Sequence, residues 1–221
     1  MSFALYGHPF SSYTQKVLIA LYENGTPFEF RCIGPDTPQH VDEWMRRWPL
    51  HKFPLLLDGE RQVVESSIII EYLQLAHPGP VRLLPADSMA ALEVRFLDRF
   101  FDLHVMDAFQ FAMASALGRI PMKREDGLAI ASERLERAYA WLEGRLAGST
   151  GTWAAGADFT MADCAAAPAL FYADWVHRIS DAYHALRAYR ARLLARPSFA
   201  RAVEEARPFR PLFPLGAPDR D

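Results

Sequence analysis

A small α/β domain followed by an all-helical domain is the fold class this sequence predicts. Three observations carry the prediction. Strand-like runs occur only before His77, where they alternate with helical patterns in the order β-α-β-α-β-β-α. A proline-rich stretch, His77–Pro85 (HPGPVRLLP), then interrupts the chain. Beyond it the strand signals stop and long amphipathic patterns take over. The expected boundaries are 1–78 for the α/β domain, 79–86 for the linker, and 87–221 for the helical domain with its C-terminal tail.

Each element has its own signal. Ser2–Gly7 (SFALYG) is a short β-like run stopped by Gly7 and Pro9. Ser11–Asn24 carries Val17, Leu18, Leu21 and Tyr22 at helical spacing, and Asn24-Gly25 ends it. Phe28–Ile33 alternates as a strand does, and a short helix is expected over Gln39–Arg47. Pro54–Leu57 and Gln62–Val64 flank Asp58-Gly59, a hairpin turn signal. Ser66–Leu75 reads as a helix despite three isoleucines, because a serine cap and the apolar spacing outweigh the β-branched run. After the linker, helices are predicted over Met89–Leu117, Glu125–Leu146, Thr160–Val176, Asp181–Ala195 and Ser198–Ala206. The Pro- and Phe-rich end (RPFRPLFPLGAPDRD) is expected to pack as an irregular arm or to fray.

Composition narrows the function classes. Of the 221 residues, 51% are hydrophobic, enough for a substantial core, and the formal charge of −3 gives no basic footprint for nucleic acid. Two cysteines, Cys32 and Cys164, build no disulfide framework. No secretory leader pattern and no membrane-spanning apolar run is visible, so a cytoplasmic protein is expected. No HxxxH or paired-cysteine spacing suggests a metal, and no Gly-rich loop suggests phosphate binding.

Four segments resemble the glutathione transferase family. They are Leu5-Tyr6-Gly7 followed by Ser11 to Val17; Trp48-Pro49-Leu50-His51-Lys52-Phe53-Pro54-Leu55-Leu56, similar to NPxxKVPxL; Val64-Glu65-Ser66-Ser67-Ile68-Ile69-Ile70-Glu71-Tyr72-Leu73, similar to ESxxIxxYL; and Gly156-Ala157-Asp158-Phe159-Thr160-Met161-Ala162-Asp163, similar to GxxFSxAD. Each is weak alone; all four in order are specific. The resemblance implies a thioredoxin-like N-terminal domain, a helical C-terminal domain, and glutathione as co-substrate, held mainly by the first domain. It also implies a homodimer, with the N-terminal domain of one subunit against the helical domain of the other.

The candidate donor to sulfur lies in His8–Leu21 (HPFSSYTQKVLIAL). Read from residue physics, Ser11 and Ser12 are helix caps, and Ser12 with Gln15 fits a capping box. The same geometry suits a bound anion, because a helix N-terminus carries partial positive charge and unpaired N–H groups. In the serine-type classes (theta, zeta, delta and phi) the catalytic serine lies six residues before a valine. Counting back from Val17, the resemblance implies Ser11, with Ser12 as an adjacent helper. Tyr13 and Tyr6 are rivals, since a phenol permits either as donor. No cysteine occurs at positions 11–14, so disulfide exchange through a protein thiolate is disfavoured.

The rest of the site follows the resemblance. Phe53-Pro54 matches a Val-Pro pair with a cis bond, which implies that the Phe53 backbone pairs with the cysteinyl part of glutathione like an added strand. Glu65 and Ser66 match the pair that holds the γ-glutamyl end, the carboxylate taking the ammonium and Ser66 the α-carboxylate. Lys52, then His40, then His51 are candidates for the glycine carboxylate. Phe10, Phe101, His104 and Tyr172 are candidates for an electrophile pocket between the domains, although aromatic residues at helical spacing serve a core as readily. Thr160 and Asp163 read as a capping box with no catalytic role. The activity implied is activation of the glutathione thiol for attack on a small, hydrophobic electrophile. The alternatives are a glutathione-dependent isomerase of the maleylacetoacetate type, or a non-catalytic glutathione-binding adaptor.

Overall fold

The computed structural model describes residues 3–221. The first strand therefore begins, among the described residues, at Phe3; Ser2 of the predicted run lies outside them. Four strands form one sheet in the order β2-β1-β3-β4: β1 (Phe3–Gly7), β2 (Phe28–Cys32), β3 (Leu55–Asp58) and β4 (Arg61–Val64). β1 pairs parallel with β2 and antiparallel with β3, and β3–β4 is a hairpin. Asp58 pairs with Arg61, so the two loop residues are Gly59-Glu60 rather than Asp58-Gly59. Gly59 takes the φ of +57° that the tight turn requires.

The sheet is covered on both faces, which is why every residue of β1 is buried. Leu5 and Leu56 face helices α1 (Ser12–Glu23) and α3 (Ser66–Ala76). Ala4, Tyr6, Leu55 and Leu57 face the other way, against Trp44 of α2 (Pro38–Arg47). The period-2 alternation of β1 and β3 thus feeds two cores.

The helical region contains α4 (Ser88–Phe100), a π-helical segment (Phe101–Met106), α5 (Asp107–Ala116), α6 (Arg124–Ala147), α7 (Met161–Val176), α8 (His184–Ala195) and α9 (Pro197–Ala206). Its centre is α7, buried from Met161 to Asp174; its alanine-rich sequence lets α1 and α4 approach closely. The predicted continuous helix Met89–Leu117 is instead broken by the π-turn, closed by Asp107 N–H donating to the Asp102 carbonyl. Wide turns of this kind recur at functional sites.

Two expected caps differ from the sequence reading. Ser11, not Ser12, is the N-cap of α1, its Oγ accepting from Thr14 N at 3.3 Å. Gln15 closes no capping box; its Nε2 donates to the Pro9 carbonyl and to Tyr172 Oη, both at 3.0 Å. Ser66 is the first residue inside α3, and Glu65 takes the capping position with φ +69° and ψ 118°. The tail does not fray: Arg207–Leu212 forms a 3₁₀ turn, and Asp221 pairs with Arg207 (3.0 Å) and with Arg210.

Among the described residues, no helix is long and apolar enough to cross a membrane, and no group of three or more His, Cys, Asp or Glu is placed to hold a metal ion.

Candidate functional site

A cleft of ≈ 360 Å³ opens where the sheet's β3 end meets α3 and α4. Lys52, Phe53 and Pro54 line one part of it, with Trp48 beside them. The Phe53–Pro54 bond is cis. The loop before it is tied to α2, Trp44 Nε1 donating to the Lys52 carbonyl at 2.9 Å. Neither the N–H nor the C=O of Phe53 enters a hydrogen bond among the described residues. An extended peptide laid along this edge would satisfy both groups.

Glu65, Ser66 and Ser67 line the cleft as well. Glu65 is a non-glycine residue in the left-handed region, a strained backbone kept here at the start of a helix. Ser66 and Ser67 follow in the first turn of α3, where N–H groups lack intrahelical acceptors and favour a carboxylate. Arg99, Asp102 and Leu103 close the third side. Two cations, Lys52 and Arg99, and two carboxylates, Glu65 and Asp102, therefore line the same cleft.

The predicted donors divide. Tyr13 lines the cleft. Burial, and then the nearby Asp102, push its phenol well above the ordinary tyrosine range, so it is protonated at neutral pH. Ser12 is buried. Ser11 does not line this cleft; its Oγ accepts from Thr14 N, and no described hydrogen bond uses its proton. Tyr6 is removed from the site: its ring belongs to the α2-side core, and its hydroxyl takes a hydrogen bond from Arg31. His8, three residues before Ser11, accepts from Phe10 N through Nδ1 at 3.1 Å, and burial lowers its pKa, so the ring is neutral with its proton on Nε2.

Several other candidates fall outside the cleft. His40 does not line it: its Nδ1 is 3.1 Å from the Cys32 carbonyl and its ring meets Tyr6, on the α2 side of the sheet. His51 stacks obliquely on Trp44 at 5.9 Å. Phe101 and Tyr172 are core residues, at 0% and 2% exposure, not pocket walls. Phe10 packs edge-on to Tyr172 at 5.3 Å. His104 lines a separate groove with Phe100, Arg134 and Trp141, between the α4–α5 stretch and α6. The space beside Phe109 is taken by the tail, whose Phe213 stacks on it at 6.2 Å and meets Trp175 at 5.1 Å. Helical spacing marks aromatic residues as inward-facing, but it does not separate a pocket wall from a core.

Sequence reasoning missed Ser67, Arg99 and Asp102. The available signal was Lys16, a cation on the buried face of α1. Its Nζ lies 2.6 Å from Asp98 Oδ1, 2.7 Å from Asp102 Oδ2 and 2.9 Å from Ser67 Oγ. A buried lysine must find anions, and Asp98 and Asp102 supply them.

The comparisons agree with this geometry. The glutathione S-transferase N-terminal domain model matches residues 5–81, and the corresponding C-terminal domain model matches residues 124–192. The chain is 28% identical over 213 residues to a probable maleylacetoacetate isomerase of Vibrio cholerae, covering 94% of this chain and 98% of that one. It is 32% identical over 148 residues to the GST-like protein YibF of Escherichia coli, covering 66% and 71%. A glutathione S-transferase of Methylobacterium radiotolerans, solved in complex with glutathione sulfonate, superposes with a TM-score of 0.74 at 32% identity, covering 92% and 95%. The thioredoxin-like sheet with a helical C-terminal region is the fold of that family, and this chain belongs to the glutathione S-transferase family.

Proposed function

We propose that this protein is a cytoplasmic glutathione transferase of serine type. Residues 1–78 would bind the tripeptide, 79–86 link the domains, and 87–221 supply the helical wall. The observation that carries the reading is the cleft itself: a strand edge with unpaired groups at Phe53, the start of α3 with Glu65 and Ser66, and cations at Lys52 and Arg99. Ser11, capping α1, donates its free proton to the glutathione sulfur, so the thiolate is favoured over the thiol. The sulfur lone pair then forms a bond to an electrophilic carbon, and the leaving group or polarised double bond takes the displaced electron pair. The thiol proton has already gone to solvent. Rate is gained from more thiolate at neutral pH and from orientation of the two reactants. A role in detoxification fits this chemistry.

A homodimer is part of the same reading. Ile68 and Leu75 of α3, and Met89, Leu92 and Phe96 of α4, are exposed apolar side chains that a second subunit would cover. A maleylacetoacetate-type isomerase is the second reading, supported by the full-length likeness to the Vibrio cholerae protein.

The test is an ultraviolet difference spectrum of added glutathione, titrated with pH, on wild type, Ser11→Ala and Ser11→Gly. Glycine removes the hydroxyl while costing only a few tenths of a kcal/mol at an N-cap. Thiolate absorption near neutral pH that disappears in both variants supports the serine mechanism, and turnover of maleylacetoacetate against aromatic halides then separates transferase from isomerase. Thiolate retained in both variants moves the role to Tyr13 or Ser12. Glutathione binding without thiolate in wild type favours the adaptor.

A further inference from the structure

A second pocket, of ≈ 260 Å³, lies at the C-terminal end of α7 and shares no residue with the cleft. It is walled by the end of α7, the segment that follows, one face of α8 and the tail. Four of its nine lining residues are arginines: Arg178, Arg187, Arg190 and Arg220. Arg187, Arg190 and Leu194 recur at helical spacing, so one stripe of α8 faces the pocket. The whole chain carries a formal charge of −3, so this gathering of cations is local.

The arginines outnumber the carboxylates that serve them. Asp174 Oδ2 lies 3.1 Å from Arg220 Nη2 and 3.6 Å from Arg190 Nη2. Its Oδ1 is committed to the N–H of Ile179 at 2.8 Å. Asp181, at the exposed rim, pairs with Arg187 and lies 4.0 Å from Arg178. Asp221 also lines the pocket, but it is held by Arg207 and Arg210, which do not. Four guanidiniums thus share two carboxylates, leaving two positive charges in excess. Arg190 is the most enclosed of the four, its side chain 14% exposed. Desolvation lowers its pKa; Asp174 opposes that shift and Arg220 adds to it. Arg190 Nη2 and Arg220 Nη1 are buried and have no hydrogen-bond partner among the described residues. Enclosed cations with half a counter-charge each are costly. The end of α7 accounts for part of the cluster, because free carbonyls there attract cations, and the Asp174 carbonyl accepts from Arg220 Nη2 at 2.8 Å. It does not account for Arg178 and Arg187, which are exposed and share one exposed aspartate.

We propose that this pocket binds one phosphate group, either free or carried as the monoester of a small molecule. The excess of two positive charges matches a phosphate monoester, which carries about −1.5 to −2 near pH 7. A single carboxylate would neutralise only one of them. Arginine forks meet phosphate oxygens in pairs. Arg190 and Arg220, the least exposed, supply the field at the floor. Arg178 and Arg187 turn from Asp181 to the phosphate oxygens at the rim. Ile179 and Leu194 give an apolar flank for the organic part of a monoester.

Calorimetric titration of the full chain with inorganic phosphate and with phenyl phosphate tests this, each against chloride at matched ionic strength. Every titration is run with and without saturating glutathione. Both phosphate probes should bind as one equivalent, whether glutathione is present or absent. Phenyl phosphate tighter by about threefold or more assigns the site to a phosphorylated small molecule, and equal affinities assign it to free phosphate. Arg178→Ala with Arg187→Ala, both at exposed positions, should weaken the two probes about tenfold and leave glutathione affinity unchanged. Asp181→Asn removes the competitor at the rim and should tighten both probes about threefold, a gain that a purely structural cluster would not show. Chloride acting like phosphate, phosphate displaced by glutathione, or affinities untouched by these substitutions overturns the inference. Failure of glutathione to bind leaves this site standing.

Discussion

Asp163 is the most heavily used acceptor in the helical region, and its removal should cost more stability than any cap residue around it. Its Oδ1 accepts from Ala154 N at 2.9 Å and from Tyr189 Oη at 2.6 Å; its Oδ2 accepts from Thr160 N at 2.8 Å and Thr160 Oγ1 at 3.0 Å. Asp163→Ala strands four donors in a fully buried place. The two hydroxyls can turn to other acceptors, but the two backbone N–H groups cannot. At about 1–3 kcal/mol for each stranded buried donor, the loss is about 2–6 kcal/mol. Burial raises the Asp163 carboxyl above its ordinary range, so removing the charge recovers part of this, and the middle of that range is expected. Thr160→Ala removes only one donor to a carboxylate that keeps three, and should cost about 1 kcal/mol. Asp163→Asn keeps one acceptor oxygen and sets an NH₂ against one stranded N–H, so it falls between. Urea unfolding followed by tryptophan fluorescence reads the order, with Trp153 packed on Phe159 at 5.0 Å beside the motif. At about 2–4 °C per kcal/mol for a chain of this size, melting points should fall by ~10 °C for Asp163→Ala and ~3 °C for Thr160→Ala. Equal losses for the three variants, or Thr160→Ala costing most, would refute the reasoning.

Three further outcomes are expected. Lys16→Met leaves Asp98 buried with Arg99 as its remaining cation and Asp102 without its lysine, and should lower stability by about 3–5 kcal/mol, the cost of breaking a buried ion pair; Lys16→Met with Asp98→Leu should recover part of it, since Asp102 still lacks its cation, and a double variant no better than the single would count against the network. Gly7→Ala places a Cβ 2.6 Å from the buried Thr14 side chain, so it should cost about 1–3 kcal/mol and weaken glutathione binding through the shifted start of α1; Gly7→Ala with Thr14→Ser should restore part of both in calorimetry. Asp58 is held below the ordinary carboxylate range, first by the Tyr72 hydroxyl at 2.6 Å and then by His77 at 2.7 Å. A depressed carboxyl adds stability that is complete above its unfolded value near 3.8 and lost as pH falls through the folded one, so Asp58→Asn should flatten the stability curve below pH ~4 and leave its neutral part parallel.

Much of the fold was legible along the chain because its signals are local. The alternation of β1 and β3, the Asn24-Gly25 stop with Gly25 at φ +58°, and the periodic stretches of α6 and α7 depend on near neighbours, and the structure follows them to within a few residues. Caps were harder, since Ser11 and Ser12 both suit the start of α1 and only the path of the chain through Pro9 chooses between them. The cis Phe53–Pro54 bond, Glu65-Ser66 and Lys52 were found by motif, and all of them line one cleft. His40 and Tyr6 were not separable from them on the line of the sequence, because the side of the sheet a residue faces is set by strand register and by what packs there.

The local sequence settled where the chain turns, which residues it buries, and which backbone groups begin its helices. Assembly settled how charges far apart in the chain meet. Lys16, Ser67, Asp98 and Asp102 come from α1, α3, α4 and the π-helical segment, and meet only after the helical region docks on the sheet. Arg99 reaches the cleft from the end of α4, and Asp102 from the π-turn that follows it. Phe213 and Phe109, far apart in sequence, meet because the tail folds back over α5 and α7. Periodicity reports which face of a helix is apolar; it carries no information about which distant face will cover it, and that is the physical reason the cleft's third side emerged only from the packed molecule.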